Sequence, residues 1–267
     1  ETDCRIRMLS CVMGGLMLTG CMVEDIPTRE HASEILTTPT VTTIPPTQTT
    51  TAETTTTAWQ ETLFSEMTEI WAEYPALTAK IADMSIEEKA AQMLLVSCHT
   101  VTPEEAAQGG AGGVCLYTDA FEKKAEVCAM TAEYQSRSKI PMLIAVDEEG
   151  GGVTRVSGNP NLRDTRFLRP GKLYELGGWE RIEADTAEKS ELLLSLGINV
   201  NLAPVADVPQ SRSDYIYWRC FSDDAKETAE YTRRVVAVME ENGIGSTLKH
   251  FPGYGGSTDT HKGMGYD

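Results

Sequence analysis

Basic residues are scarce in this chain. Its 267 residues include 23 Lys or Arg against 40 Asp or Glu, a formal net charge of −17. A field of that sign repels a phosphate backbone, which excludes nucleic acid as a partner. Long hydrophobic runs are lacking as well. No uninterrupted apolar stretch reaches the ~18 residues that a membrane-spanning helix needs. The seven cysteines include no CxxC pair, so no close metal-type pairing is present.

The acidic residues are unevenly spread. Residues 1–58 hold seven acidic and three basic residues, which leaves 33 and 20 in residues 59–267. That second stretch is long enough for a sizeable core, with roughly 70% of its unfolded surface buried. Residues 1–21 read as a targeting segment. Arg5 and Arg7 form a basic start, Met8 to Gly20 is mostly apolar and small, and small residues precede Cys21. The run Leu18-Thr19-Gly20-Cys21 resembles the lipobox of bacterial lipoproteins, which implies lipidation of Cys21. A plain signal peptide cleaved elsewhere is the alternative. Residues 22–58 read as a tether. Within them, residues 37–57 carry 13 Thr along with Pro39, Pro45 and Pro46. So little apolar surface does not offset ordering entropy, so an extended, disordered segment is expected. It would reach on the order of 70 Å. Cys4 and Cys11 lie in the targeting segment. Cys98, Cys115, Cys128 and Cys220 are expected to be buried free thiols.

From residue 59 onward, helical and apolar segments alternate. Helices are expected from Trp59 to Ile81 (interrupted at Pro75), after Ser85, from Phe121 to Arg137, from Arg181 to Leu196 and from Ala225 to Asn242. Strands are expected at Met93–Val96, Gly112–Tyr117, Met142–Val146, Ile198–Val205 and Ser246–Leu248. Near-continuous apolar strands between helices predict an α/β fold with a parallel sheet covered on both faces. A doubly wound sheet and a (β/α)8 barrel both fit. The polar residues favour the barrel, because Asp147, Asp207 and the Lys249-His250 pair each follow a strand. Such residues converge on the mouth of a barrel.

Three constellations carry chemistry. The first is Asp147-Glu148-Glu149-Gly150-Gly151-Gly152-Val153-Thr154-Arg155. Its carboxylates would repel a phosphate, and no Lys-Ser or Lys-Thr follows the glycines, so it is no phosphate loop. Asp147 can accept hydrogen bonds from adjacent sugar hydroxyls, and Arg155 can donate to the same ligand. Glu148 and Glu149 read as a solvated acidic turn. The second is Lys249-His250, ahead of Phe251-Pro252-Gly253-Tyr254-Gly255. Lys249 offers a point charge with three donors, and His250 is either a donor and acceptor in a site or a satisfied core residue. The third is Asp259-Thr260-His261 on a glycine-rich loop. A carboxylate beside an imidazole fixes its tautomer and suits it to general acid and base work. A metal held by His250, Asp259 and His261 is the competing reading, but that spacing fits no standard site.

Together these segments resemble glycoside hydrolase family 3, and within it the bacterial β-N-acetylhexosaminidases. The resemblance starts near Asp83 and runs through Gly112-Gly113-Val114, Val146 to Gly151, Gly197 to Val208, Arg219 to Asp224 and Lys249 to Gly255. Tyr254 and Gly152 depart from it, standing where His and Arg are usual. The resemblance implies a TIM-like barrel and a retaining double displacement without cofactor or metal. It implies that Asp147, Arg155, Arg219, Lys249 and His250 bind the terminal sugar, and that Asp259 and His261 form the acid/base pair. The nucleophile is expected on a later barrel strand. The chain is therefore expected to be an N-terminal fragment with about five βα units, inactive by itself. The function so implied is an exo-β-N-acetylglucosaminidase acting on cell-wall or chitin-like glycans, held outside the bacterial membrane by lipid on Cys21. A family 3 β-glucosidase or β-xylosidase is one alternative. A non-catalytic glycan-binding lipoprotein is the other.

Overall fold

The computed structural model describes residues 74–251, 253, 254 and 259. The targeting segment, Cys21, the tether, the helix expected from Trp59 up to residue 73, and His261 lie outside the described residues. The chain divides into two units at Ser85 and Ile86. The described part of the first is helix α1, Pro75–Ala82, with proline in its first turn where a missing N–H costs nothing.

The second unit runs in order α2 (Ile86–Gln92), β1 (Leu95–Ser97), α3 (Pro103–Gln108), β2 (Gly113–Leu116) and α4 (Lys124–Arg137). It continues with β3 (Leu143–Val146), β4 (Glu148–Gly150), β5 (Val153–Thr154), α5 (Pro170–Ser195), β6 (Val200–Asn201), α6 (Ala225–Glu241) and β7 (Gly245–Ser246). β4 and β5 form a small antiparallel hairpin. The other five strands make one parallel sheet in the order β1-β2-β3-β6-β7.

That order decides between the two expected architectures. A doubly wound sheet reverses its strand order at a switch point. Here every strand lies beside its predecessor, as in the wall of a barrel. The fold is an α/β, TIM-like barrel wall of five parallel strands, the first four each followed by a helix among the described residues.

The helix-side face of the sheet holds the core. Val114, Leu116, Ile144, Val146 and Ile198 pack with Val127, Tyr134, Ile182, Leu193 and Val235, all buried. On α6 the buried residues Thr228, Tyr231, Val235 and Met239 recur every three or four positions, one stripe of the helix. Asp224 caps this helix by accepting from the backbone N–H groups of Lys226 and Glu227. Helix α3, not anticipated from the sequence, carries a capping box made by Thr102 and Glu105.

Several expectations need correction. Met93 and Leu94 precede the first strand and are exposed, because pairing starts at Leu95. Of the expected strand from Ile198 to Val205, only Val200–Asn201 is a strand, with one isolated bridge at Val205. Side chains replace part of the missing ladder. Asn199 bonds the backbone of Met142 and Ile144, and Asn201 clasps both the N–H and the carbonyl of Glu148. Only two of the four thiols are buried. Cys115 and Cys220 are, whereas Cys98 and Cys128 are partly exposed, and all four are free. Burial pushes the Cys115 thiol up to about 11 and Cys220 up to about 12, so both stay protonated and inert.

Gly197 closes α5 with a φ of +78°, and a Cβ there would sit 2.5 Å from the Thr131 hydroxyl. That hydroxyl donates to the Leu196 carbonyl, which ties α4 to the end of α5. We expect Gly197→Ala to lower stability by about 2 kcal/mol, from left-handed backbone strain plus overlap. A urea midpoint equal to that of the parent protein would count against this account.

Candidate active site

The C-terminal ends of β3, β6 and β7 supply the polar residues. Asp147 follows β3 directly. Val205 and Lys249 form a parallel bridge that extends the ladder beyond β6 and β7. The Lys249–His250 peptide is cis.

Glu149 lies at the centre. It is 7% exposed and Glu148 is fully buried, so neither belongs to a solvated turn as the sequence suggested. The tight hairpin folds both carboxylates inward. Gly150 permits this with a φ of +104°, where a Cβ would come within 2.3 Å of the Leu168 carbonyl. Glu148 holds the following loop by accepting from the backbone N–H groups of Arg155 and Val156 at 2.8 and 2.7 Å, and from the Ser157 hydroxyl. Glu149 instead reaches the site. It accepts two bonds from the Arg219 fork at 2.9 and 2.7 Å and lies 2.6 Å from Lys249 Nζ. Lys249 Nζ also donates to Asp147 at 2.5 Å. Behind the hairpin, Lys189 Nζ donates to the Glu149 carbonyl at 3.3 Å and pairs with buried Asp185.

His250 is held by a second carboxylate. Asp207 accepts from the His250 backbone N–H and contacts ring Nδ1 at 2.7 Å, and its other oxygen accepts from the Tyr254 N–H. The opposite ring nitrogen, Nε2, is 3.1 Å from Arg219 Nη2. A guanidinium only donates, so Nε2 accepts and the ring proton sits on Nδ1, facing Asp207. His250 is thus a neutral imidazole of defined tautomer, part of the site rather than of the core.

Burial pushes Glu149 up, but the Arg219 bonds and the Lys249 charge together outweigh it, and its pKa falls below the ordinary value. Asp207 behaves alike, its burial outweighed by bonds from His250 and the Tyr254 N–H. Both are carboxylates at neutral pH. Asp259 lies near the same cluster. Burial raises the Tyr215 phenol, Arg219 opposes that rise, and the Asp259 carboxylate adds to it.

Of the residues expected from the sequence, the structure brings together Asp147, Lys249, Arg219 and His250, with Asp259 beside them. Arg155 is not drawn into this cluster. Its backbone bonds Glu148, and its side-chain Nε is buried without a hydrogen-bond partner. Glu149 and Asp207 were missed as site residues, although both follow strands within the quoted motifs. Tyr215 carried no sequence signal. Among the described residues no group of three or more His, Cys, Asp or Glu is placed to hold a metal ion.

Two carboxylates of the cluster, Asp147 and Glu149, face Lys249 and Arg219, and a third, Asp207, faces the His250 ring. Comparison with known proteins gives the family. Residues 85–267 match the glycosyl hydrolase family 3 N-terminal domain. The chain belongs to glycosyl hydrolase family 3. It is 32% identical over 160 residues to β-hexosaminidase A of Pseudoalteromonas piscicida, covering 57% of this chain and 27% of that protein. It is 33% identical over 154 residues to a β-hexosaminidase of Xanthomonas campestris pv. campestris, covering 56% and 46%. In structure it resembles a β-N-acetylhexosaminidase from Beutenbergia cavernae with a TM-score of 0.58 at 26% identity, covering 67% of this chain and 57% of that one. The chain thus spans less than half the length of these curated relatives. The family assignment gives a glycoside hydrolase family scaffold, and the clustered polar residues sit at its strand ends.

Replacing Glu149 would take from Arg219 its carboxylate and leave Lys249 with Asp147 alone, although the two cationic side chains are only 15% and 14% exposed. Glu149→Gln should cost about 3–5 kcal/mol. The folded pKa of Glu149 lies below its ordinary value of 4.5. Its contribution is therefore fully present above that value and is lost as pH falls through the folded pKa. The gap in urea midpoint between parent and variant should be constant from neutral pH to about pH 5 and shrink below it. A gap that widens in acid would contradict the assignment.

Proposed function

We propose that this family 3 chain is part of a retaining exo-β-N-acetylglucosaminidase that releases terminal N-acetylglucosamine from cell-wall or chitin-like glycans. The observation that carries the reading is the Asp147–Lys249–Glu149–Arg219–His250 network at the strand ends. Asp147 accepts from adjacent hydroxyls of the terminal sugar. Lys249 and Arg219 donate to its oxygens, and Glu149 holds both cations in place. His250 stays neutral between Asp207 and Arg219 and adds a fixed edge to the pocket.

In this reading His261 is the acid/base, and Asp259 orients it. The imidazolium gives its proton to the glycosidic oxygen as the C1–O bond breaks and a carboxylate bonds to C1. The leaving glycan departs as an alcohol. His261, now neutral, takes a proton from water as the water oxygen attacks C1 and frees the carboxylate. The resemblance puts that nucleophilic Asp on a later strand than any described here. The N-acetyl preference rests on the Asp259-Thr260-His261 motif and on the similarity to β-hexosaminidases. We further propose that lipid on Cys21 anchors the protein outside the membrane and that the Thr-rich segment spaces the domain from it.

An assay of the full-length protein on nitrophenyl glycosides tests the reading. N-acetyl-β-glucosaminide should be cleaved faster than β-glucoside or β-xyloside, and the reverse order would sink it. His261→Ala should slow poor leaving groups most, because those depend on protonation, by about 10²–10⁴-fold. Equal losses for good and poor leaving groups would remove His261 from the acid role.

A further inference from the structure

A cavity opens where the turn after β1 meets the turn after β2. Its volume is about 370 Å³, and its lining includes Cys98, His99, Thr102, Glu105, Asp119 and Tyr134. Strand register relates it to the site. Ser97 pairs with Cys115, and Leu116 pairs with Val146. Carrying the β2–β3 ladder one residue onward sets Tyr117 level with Asp147, and the turn at residues 98–100 brings His99 to Tyr117. Cys115 and Tyr117 share a face, being two apart, and the Asp147 charge acts on both. They therefore look toward the site, whereas Val114 and Leu116 pack under the helices.

A chain of contacts leads outward from there. The His99 ring rests against the Tyr117 ring with centroids 4.8 Å apart. His99 Nε2 lies 2.6 Å from Asp119 Oδ1. Neighbouring strands are about 4.8 Å apart, so Tyr117 lies one strand from Asp147 and the His99 ring lies one ring contact beyond it. That is the place of the next ring when a terminal sugar occupies the charged cluster.

We propose that Tyr117, His99 and Asp119 form a leaving-side subsite for a neutral, hydroxyl-bearing sugar ring. The proposal rests on the glycosidase reading and names the class of the group released. The Tyr117 and His99 rings offer a face for the C–H side of a pyranose. The Asp119 side chain, 70% exposed, accepts from sugar hydroxyls while His99 holds its orientation. Asp119 and Glu105 both line the cavity, and among the described residues no Lys or Arg does. A leaving sugar with its own carboxylate would be repelled, whereas an uncharged N-acetylated sugar would not.

Asp119→Asn and His99→Gln, made separately in the full-length protein, test this. The readout is kcat/KM for diacetylchitobiose divided by kcat/KM for the nitrophenyl N-acetyl-β-glucosaminide. The ratio should fall about tenfold in each variant, the scale of one charge-assisted hydrogen bond. An unchanged ratio in both overturns the subsite. The parent protein should also prefer diacetylchitobiose to an analogue with a carboxylate on the leaving sugar, and the opposite preference overturns the neutral class. If the parent cleaves neither nitrophenyl glycoside nor disaccharide, the glycosidase reading fails by itself. Calorimetry then decides the subsite. Diacetylchitobiose should bind the parent about tenfold tighter than it binds Asp119→Asn, and equal affinities overturn the proposal.

Discussion

The Glu149 carboxylate is the constraint around which the site is built. It is almost fully buried, and one side chain neutralises two cations that arrive from distant parts of the chain. Arg219 comes from the loop after β6, and Lys249 from the end of β7. Without Glu149, Arg219 would lose its carboxylate and Lys249 would keep only Asp147, in a region with little access to water. With it, both become rigid donors. The same ion links Asp147 and His250 indirectly, since Lys249 touches one and Arg219 the other.

Rigidity behind the carboxylate is supplied by polar groups rather than by a continuous ladder. β6 is paired over two residues only. Asn201 bonds both backbone groups of Glu148, and Asn199 does the same work one step below. Lys189 braces the Glu149 carbonyl from α5. Each buried polar group that replaces a ladder bond also fixes the angle at which the next strand leaves the sheet. Asp207 does this at the rim, holding the His250 and Tyr254 backbones with the same carboxylate that sets the imidazole tautomer.

Within an acidic chain, most of the charge at this site is locally paired. Asp147 and Glu149 are matched by Lys249 and Arg219, and Asp207 is hydrogen-bonded by the His250 ring. Hydroxyl groups, which donate and accept at once, are complementary to such a surface. The neighbouring cavity differs, since among the described residues Asp119 and Glu105 face it without a Lys or Arg.

The sequence by itself determined the alternation of strands and helices, the family, and the strand-end positions of Asp147, Lys249 and His250. Those features depend on apolar periodicity and short motifs, which are local. Arg219 too was legible, but through the resemblance to family 3 rather than through its own neighbours. Tertiary structure alone decided what became of adjacent carboxylates. Glu148 and Glu149 are consecutive and looked alike, yet one is consumed by the loop that follows and the other by cations 70 and 100 residues away. It also decided between a reversed and a sequential strand order, and joined His99 to Asp119 across two loops. The reason is common to all three. Whether a charged group ends in water or in a buried pair depends on which distant partner the fold delivers, and local sequence does not contain that distance.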